Sequence, residues 1–209
     1  MIKRFRLAAQ GVLLRVESGF SAVFGEAWNP FHHLGTISFF LFWVIAASGL
    51  YLYIFFDTGV KDAYDSVESL TRDQWYLGGV MRSVHRYASD AMVLTVMLHM
   101  LRQFVLDRFR GFRWFSWLSG VPLLWLMYAS GIGGYWLVWD EMAQFIAIAT
   151  AEWLDWLPIF TEPLVRNFLS QDMVNDRFFT LLAFLHIGIP LILLLFMWVH
   201  IHRITSART

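Results

Sequence analysis

The sequence contains no cysteine, and this absence removes several kinds of site at once. Disulfide bonds, cysteine-ligated zinc, iron–sulfur clusters and thioether-linked haem all need thiols, so none of them forms within this chain. Metal chemistry based on histidine stays open, because the chain has seven histidines.

Charged residues are scarce as well, at 15% of 209 residues, and the formal net charge is zero. The chain lacks a long basic block, so the sequence does not predict a nucleic-acid partner. Hydrophobic residues make up 58% of the chain, with 11 Trp and 20 Phe, which is too apolar for an ordinary soluble domain. We therefore predict an integral membrane protein whose partners lie in the lipid bilayer or along its surface.

Four segments are long and apolar enough to cross a bilayer, which takes about 20 residues in a helix. They cover residues 34–56, 79–106, 114–139 and 178–202. The second segment carries Asp90 and Arg102, so it belongs inside a bundle, and we expect Asp90 to face the bundle interior. The pattern predicts an all-α membrane protein with four transmembrane helices.

The remaining sequence suggests surface-lying helices rather than a soluble domain. Residues 1–33 show helical apolar spacing among basic residues, typical of an amphipathic arm, followed by the four-helix domain at 34–209. The third loop, 140–177, is too long for a simple connector, and we expect short interfacial helices in it.

The loops also differ in charge. Ten of the sixteen Lys and Arg, counting Arg102 at the end of the second span, but only three of the sixteen acids, fall in the N-terminal arm, the loop after the second span and the C-terminal tail. By the positive-inside rule this places both termini in the cytoplasm, and we expect the prokaryotic cytoplasmic membrane.

Four histidines form two pairs with the same spacing: His85 with His99, and His186 with His200. Fourteen steps at about 100° per residue leave the second side chain about 40° from the first and about 21 Å farther along the helix. Each helix therefore points two imidazoles the same way at two depths, with His85 level with His186 and His99 level with His200. Two haem b groups, each bound without covalent attachment between two imidazoles, fit this arrangement.

Glycines on the other two spans repeat the fourteen-residue interval. The pairs are Gly35 with Gly49, and Gly120 with Gly134. A macrocycle lying edge-on between helices needs the backbone to come close, and only glycine lacks the Cβ that would block it.

The histidine and glycine pairs are also compatible with a bundle that binds no haem. A histidine within a membrane also hydrogen-bonds neighbouring helices, and glycine pairs also mark close helix packing. Zinc fits less well because it wants three or four ligands around one centre. A haem-free structural or transport bundle is therefore a further alternative.

The stretch VHRYASDAMVLTVMLHMLRQF, together with LGTISFFLFWVIAASG and SGVPLLWLMYASGIGGY followed by WDEM, resembles the cytochrome b family, especially its short, split form in bf-type complexes. The similarity covers about Gly35 to Arg203. It implies that His85 and His186 ligate an outer haem, and that His99 and His200 ligate an inner one. It also implies further cofactor-binding residues: Gly35, Gly49, Gly120 and Gly134 facing the porphyrins, Arg82 and Arg102 near haem propionates, and Arg86 as the basic residue of the short form.

The chain departs from the family pattern in two places. Val138-Trp139 replaces the family's Pro-Trp motif, and the Pro-Glu-Trp-Tyr motif of the outer quinol site is absent. A complete outer site would therefore need a partner subunit.

Polar residues near the cytoplasmic helix ends are candidates for an inner quinone site, because a histidine there can hydrogen-bond a quinone carbonyl and relay a proton. They are Asn29, His32, His33, His202 and Arg203.

We expect a dihaem b-type cytochrome subunit of a membrane quinol/quinone oxidoreductase complex, not catalytic alone. Its partners would be quinone and other redox subunits of an oligomeric complex, such as a Rieske protein, a c-type cytochrome or a second cytochrome b subunit. The alternative is a dihaem membrane anchor that passes electrons between quinone and a peripheral dehydrogenase or multihaem subunit.

Overall fold

The computed structural model describes residues 2–158, 162–164, 168–170 and 173–206, without the side chains of residues 2, 3, 5 and 203–206. These described residues are helical or in turns and contain no strand. Seven α-helices lie within them: α1 (Ile2–Phe24), α2 (Leu34–Phe55), α3 (Asp62–Arg72), α4 (Val80–Val105), α5 (Trp114–Leu137), α6 (Glu141–Asp155) and α7 (Asp176–Ser206). The all-α prediction is confirmed for this part of the chain.

The four predicted spans correspond to α2, α4, α5 and α7, with ends that differ by a few residues. Three stretches are long and apolar enough to cross a membrane: Leu34–Phe55, Gly111–Leu137 and Asp176–His202. The fourth, α4, has the length, at 26 residues, but it carries four charged residues. A fourth crossing therefore stays a prediction.

The third loop contains a regular helix, α6. Asp140 caps its N-terminus, where the carboxylate accepts a hydrogen bond from the backbone N–H of Ala143 at 2.7 Å. Ala143, Ala147 and Ala151 recur every four residues and form its buried face. A helix in this loop is thus confirmed, and its position at a membrane interface stays a prediction.

The loop between α2 and α4 holds a helix that the sequence pattern did not predict. In α3, the buried residues Ala63, Ser66 and Leu70 lie on one face, and two aspartates occupy the first turn. A π-helical turn, Trp75–Gly79, then leads into α4.

The chain divides into two compact units. One consists of Met1–Ala47, Val84–Trp125 and Leu193–Thr209, and the other of Ser48–Ser83 and Leu126–Ile192. Each of the four long helices contributes residues to both units. The predicted boundary between an arm at 1–33 and a domain at 34–209 stays a prediction.

Candidate functional site

The rings of His85 and His186 are held in the same way by neighbouring helices. The Nδ1 of His85 lies 3.0 Å from the carbonyl oxygen of Ile45, and the Nδ1 of His186 lies 3.0 Å from that of Ser130. A carbonyl oxygen can only accept, so Nδ1 carries the hydrogen and Nε2 carries the lone pair. This is the tautomer in which histidine ligates a metal through Nε2.

The ring of His200 contacts a hydroxyl group, whereas the rings of His85 and His186 contact backbone carbonyls. Its Nδ1 lies 2.8 Å from the Oγ of Ser119, and the same hydroxyl donates to the carbonyl oxygen of Ser116 at 3.2 Å. In the tautomer that carries its hydrogen on Nδ1, the ring donates to this oxygen while the hydroxyl donates to Ser116. In this tautomer His200 again presents the lone pair at Nε2.

Glycine backbone lies directly against three of the imidazoles. A Cβ atom at Gly35 would lie 3.2 Å from the Cε1 of His99, and one at Gly120 would lie 3.7 Å from the Cε1 of His200. At Gly134 a Cβ would overlap the Cε1 of His186 and lie 2.9 Å from its Nδ1. Gly35 and Gly134 thus make room for the imidazoles themselves, whereas a Cβ at Gly120 would make an ordinary van der Waals contact. The contact of these glycines with a porphyrin stays a prediction.

Gly49, the fourth of the spaced glycines, has a position on its helix that corresponds to that of Gly134. Gly49 is half-buried and follows Ile45 by four residues on α2, as Gly134 follows Ser130 on α5. In both helices the carbonyl that binds a histidine ring lies one turn before a glycine.

His99 and His200 lie close enough together to interact electrostatically. Both belong to the first unit, together with Gly35, Gly120 and Ser119. The structure therefore brings together the predicted inner pair. His85 and His186 belong to different units, and their pairing stays a prediction.

The donor set fits a haem better than an isolated metal ion. Within the described residues, no group of three or more His, Asp or Glu side chains could hold a metal ion. The imidazoles are half-buried, three of them have Nδ1 engaged, and three lie in recesses that a Cβ would fill. Single half-buried imidazoles of this kind, rather than a cluster of ligands, are what the chain would have to provide to hold a haem, which would supply one-electron chemistry.

One buried donor in the second unit also lacks a protein acceptor. The indole N–H of Trp136, two residues after Gly134, has no hydrogen-bond partner among the described residues. Buried N–H groups are nearly always paired. A carboxylate or carbonyl oxygen of a cofactor would supply the acceptor.

The three arginines predicted to be near haem have different surroundings. Arg82 donates to the hydroxyl of Thr71 at 2.6 Å, and Arg102 is buried in an ion pair with Glu17. Arg86 is exposed. Asp90, expected to face the bundle interior, is exposed as well, so that expectation was wrong for this chain.

Three candidates for the quinone site are tied to the short segment before α2. Asn29 is completely buried and hydrogen-bonds the Glu17 carbonyl, the Ser21 hydroxyl and the Phe31 N–H at 2.8, 2.8 and 3.0 Å. His32 and His33 are exposed, and their rings lie 3.2 and 2.8 Å from the carbonyl oxygens of Glu26 and Ala27.

The two remaining quinone candidates lie near the C-terminus. His202 is exposed and packs edge-on against Trp198, with ring centroids 5.7 Å apart. The side chain of Arg203 lies outside the described residues. A quinone site at these five residues stays a prediction.

A cavity of about 260 Å³ lies in the second unit, and the sequence pattern did not predict it. Its lining comes from four separate segments: Val60, Trp139, Gln144, Ile148, Leu169 and Val174. Residues so dispersed leave no local sequence signal. Among them, Trp139 alone belongs to a motif, the altered Pro-Trp pair.

The comparison with known families agrees with this geometry. The family model described as cytochrome b/b6/petB matches residues 21–207, which include all four spaced histidines. This chain belongs to the cytochrome b family. The resemblance inferred from the sequence is therefore confirmed.

A solved structure shares the fold of this cytochrome b. The match is to a chain of a structure described as "Hyperthermophilic respiratory Complex III", with a TM-score of 0.72 and 21% sequence identity. It covers 85% of this chain but 48% of the other, so this cytochrome b spans about half the length of the protein it matches.

Proposed function

We propose that this cytochrome b holds two haem b groups, one between His85 and His186 and one between His99 and His200, and conducts electrons across a membrane. The observation that carries the proposal is that three of the imidazoles are held in the same way by hydrogen bonds. His85, His186 and His200 each have Nδ1 engaged by a hydrogen bond, which places the lone pair of the neutral ring on Nε2. Membership of the cytochrome b family supports haem b as the cofactor.

A haem with two histidine ligands, when bound, supplies one-electron transfer without an open site for oxygen. The residues of the chain bind and orient it. Hydrogen bonds donated by the Nδ1–H groups of His85, His186 and His200 fix the planes of these three rings and raise the basicity of their Nε2 atoms. Glycine backbone lets the rings lie close to α2 and α5, and Arg82, Arg86 and Arg102 stabilise propionate charge.

The proposal includes four membrane spans with both termini in the cytoplasm of a prokaryotic cell. The fourth span is α4, in which Arg82, Arg86 and Arg102 would lie against protein or propionate, and a partner subunit would cover the exposed Asp90. Electrons would pass between an outer and an inner haem and reach a quinone near Asn29, His32, His33, His202 and Arg203.

The chain would act as a subunit of a quinol/quinone oxidoreductase complex. The Pro-Glu-Trp-Tyr motif of the outer quinol site does not occur in the sequence. A second cytochrome b subunit would then complete the outer quinol site, with a Rieske protein and a c-type cytochrome as electron acceptors.

A second candidate is a dihaem anchor that exchanges electrons between quinone and a peripheral dehydrogenase or multihaem subunit. The altered Val138-Trp139 motif favours it, because valine replaces the family's proline next to Trp139, which lines the cavity of the second unit. Identifying the subunits that copurify separates the two: a three-helix partner with a Rieske protein supports the first, and a peripheral dehydrogenase supports the second.

The primary test is a pyridine haemochrome assay of the purified, fully loaded protein, combined with a redox titration. We expect two haem b per chain and two one-electron transitions. One haem per chain would contradict the proposal. A protein without a Soret band would favour the haem-free bundle instead.

A further inference from the structure

Glu17 is a buried carboxylate on α1, far in sequence from the predicted haem ligands. Its side chain is 8% exposed, and that of its partner Arg102 is 10% exposed. The Nε of Arg102 donates to Oε1 at 2.7 Å, and Nη2 lies 3.4 Å from Oε2. The ion pair therefore joins α1 to α4 through two contacts on one edge of the guanidinium.

The backbone of Glu17 is fixed as well. The amide of Asn29 donates to its carbonyl oxygen at 2.8 Å and to the Ser21 hydroxyl at 2.8 Å. The Nε2 of His32 lies 3.6 Å from the second carboxylate oxygen. A charge removed from water is costly unless it is paired and held in good geometry, and both conditions hold here.

Arg102 follows His99 by three residues on α4, about one helical turn toward the end of that helix. A guanidinium has five N–H donors in one plane. Glu17 engages Nε–H and one Nη2 hydrogen, so the edge formed by Nη1 and the other Nη2 hydrogen points away from Glu17. That edge has the shape that binds a second carboxylate.

We propose that Glu17 is a positioning residue for the inner haem, acting through Arg102. Its carboxylate orients the guanidinium toward a haem propionate and compensates its positive charge. This inference rests on the proposed function, because it requires a haem ligated by His99 and His200. It adds a role for α1, which supplies none of the predicted ligands.

The redox potential of the inner haem should respond to the charge of Glu17, with a definite sign. Glu17→Gln keeps the shape of the side chain but leaves the charge of Arg102 uncompensated. A positive charge beside a haem disfavours the ferric state, which is more positive than the ferrous state. The midpoint potential of the inner haem should therefore rise, with a several-fold increase in its ratio of reduced to oxidised haem at the wild-type midpoint, while the outer haem keeps its potential.

A second ion pair provides the matched control. Arg6 on α1 pairs with Asp107, which follows α4, and the two side chains are 19% and 39% exposed. Asp107→Asn also removes one negative charge and one link between α1 and the end of α4. Solvent screens this exposed site, so we expect neither haem potential to change.

The experiment is a redox titration of the wild type, E17Q and D107N in the purified complex, with haem content measured for each. A rise confined to one haem in E17Q supports the proposal. Two retained haems with unchanged potentials in E17Q overturn it, and so does an equal rise in D107N. Fewer than two haems in the wild type would instead contradict the proposed function.

E17Q leaves the buried charge of Arg102 unpaired. A second pair of variants tests the proposal if the E17Q protein does not accumulate. Arg102→Gln should lower the inner potential, because it leaves Glu17 uncompensated. The double variant E17Q/R102Q, which has no charge at either position, should return the potential toward the wild-type value. Identical inner potentials in R102Q, the double variant and the wild type would also overturn the proposal.

Discussion

The imidazole of His186 occupies the space that a side chain at Gly134 would need. A Cβ there would overlap the Cε1 of His186 and lie 2.9 and 3.1 Å from its two ring nitrogens. The ring is also bound by the carbonyl of Ser130 on the same helix as Gly134, so it cannot move aside without losing that hydrogen bond. The glycine and the histidine are therefore a matched pair.

Gly134→Ala should displace the His186 ring and weaken binding of one haem. Overpacking of this kind costs about 1–3 kcal/mol, enough to lower the occupancy of that haem at limiting supply. Haem content and the redox titration measure the effect. Gly131→Ala on the same helix is the control, because a Cβ there meets nothing within 4 Å. Equal haem loss in both variants would argue against the role of Gly134.

Replacing each of the four spaced histidines by alanine should remove one haem and leave the other. His85→Ala and His186→Ala should spare the inner haem, and His99→Ala and His200→Ala should spare the outer one. The readout is the pyridine haemochrome ratio together with the transition that survives in the titration. His202→Ala should keep both haems, because that residue lies about 160° around the helix from His186. An unchanged haem count in all four variants would refute the ligand assignment.

Ser119→Ala should change the inner haem without removing it. The variant loses the acceptor for the Nδ1–H of His200, which makes Nε2 a weaker donor, and loss of such a partner lowers metal affinity about 10–100-fold. We expect a raised midpoint potential for one haem and faster haem loss on dilution.

Ser89→Ala is the matched control for Ser119→Ala. The Ser89 hydroxyl bonds the backbone carbonyl of His85 at 2.6 Å rather than its ring. Its removal should leave both potentials unchanged. A shift of the same size in both variants would show that the effect is not transmitted through the imidazole.

Gly78→Ala should destabilise the turn that precedes α4. A Cβ there would lie 2.7 Å from the carbonyl oxygen and 2.9 Å from the Cδ2 of Leu70, and backbone atoms cannot easily move away. We expect a loss of about 1–3 kcal/mol and a lower thermal denaturation midpoint. Gly79→Ala, whose Cβ would come no closer than 3.6 Å to Thr71, should behave like the wild type.

Long helices were predictable from the sequence because each leaves a continuous signal. The apolar runs and the repeated histidine interval locate α2, α4, α5 and α7 to within a few residues. By contrast, α3 has only eleven residues and a polar composition, so its buried face rests on three small or medium side chains. Such a pattern is too short to distinguish from a loop.

The site was predictable only in part, for a different reason. The glycine spacing indicates that something lies close to the backbone, but it does not say whether a cofactor or an imidazole comes closest. The burial of Glu17 with Arg102 depends on a contact across 85 positions, which no local pattern reveals. Likewise, a carboxylate at position 90 has a high free energy in lipid on any face of α4. That free energy does not identify the helix face that Asp90 occupies.

The unbroken run of α4 from Val80 to Val105 also limits how this chain can change its length. Deleting or inserting one residue between His85 and His99 would turn one ring by about 100° relative to the other. Substitutions along that stretch leave the angle intact, whereas deleting one residue would leave the two rings about 140° apart, and deleting three would keep their direction but bring them about 4.5 Å closer along the helix. The interval between the histidines is therefore fixed by helical geometry even where the residue types between them are free to vary.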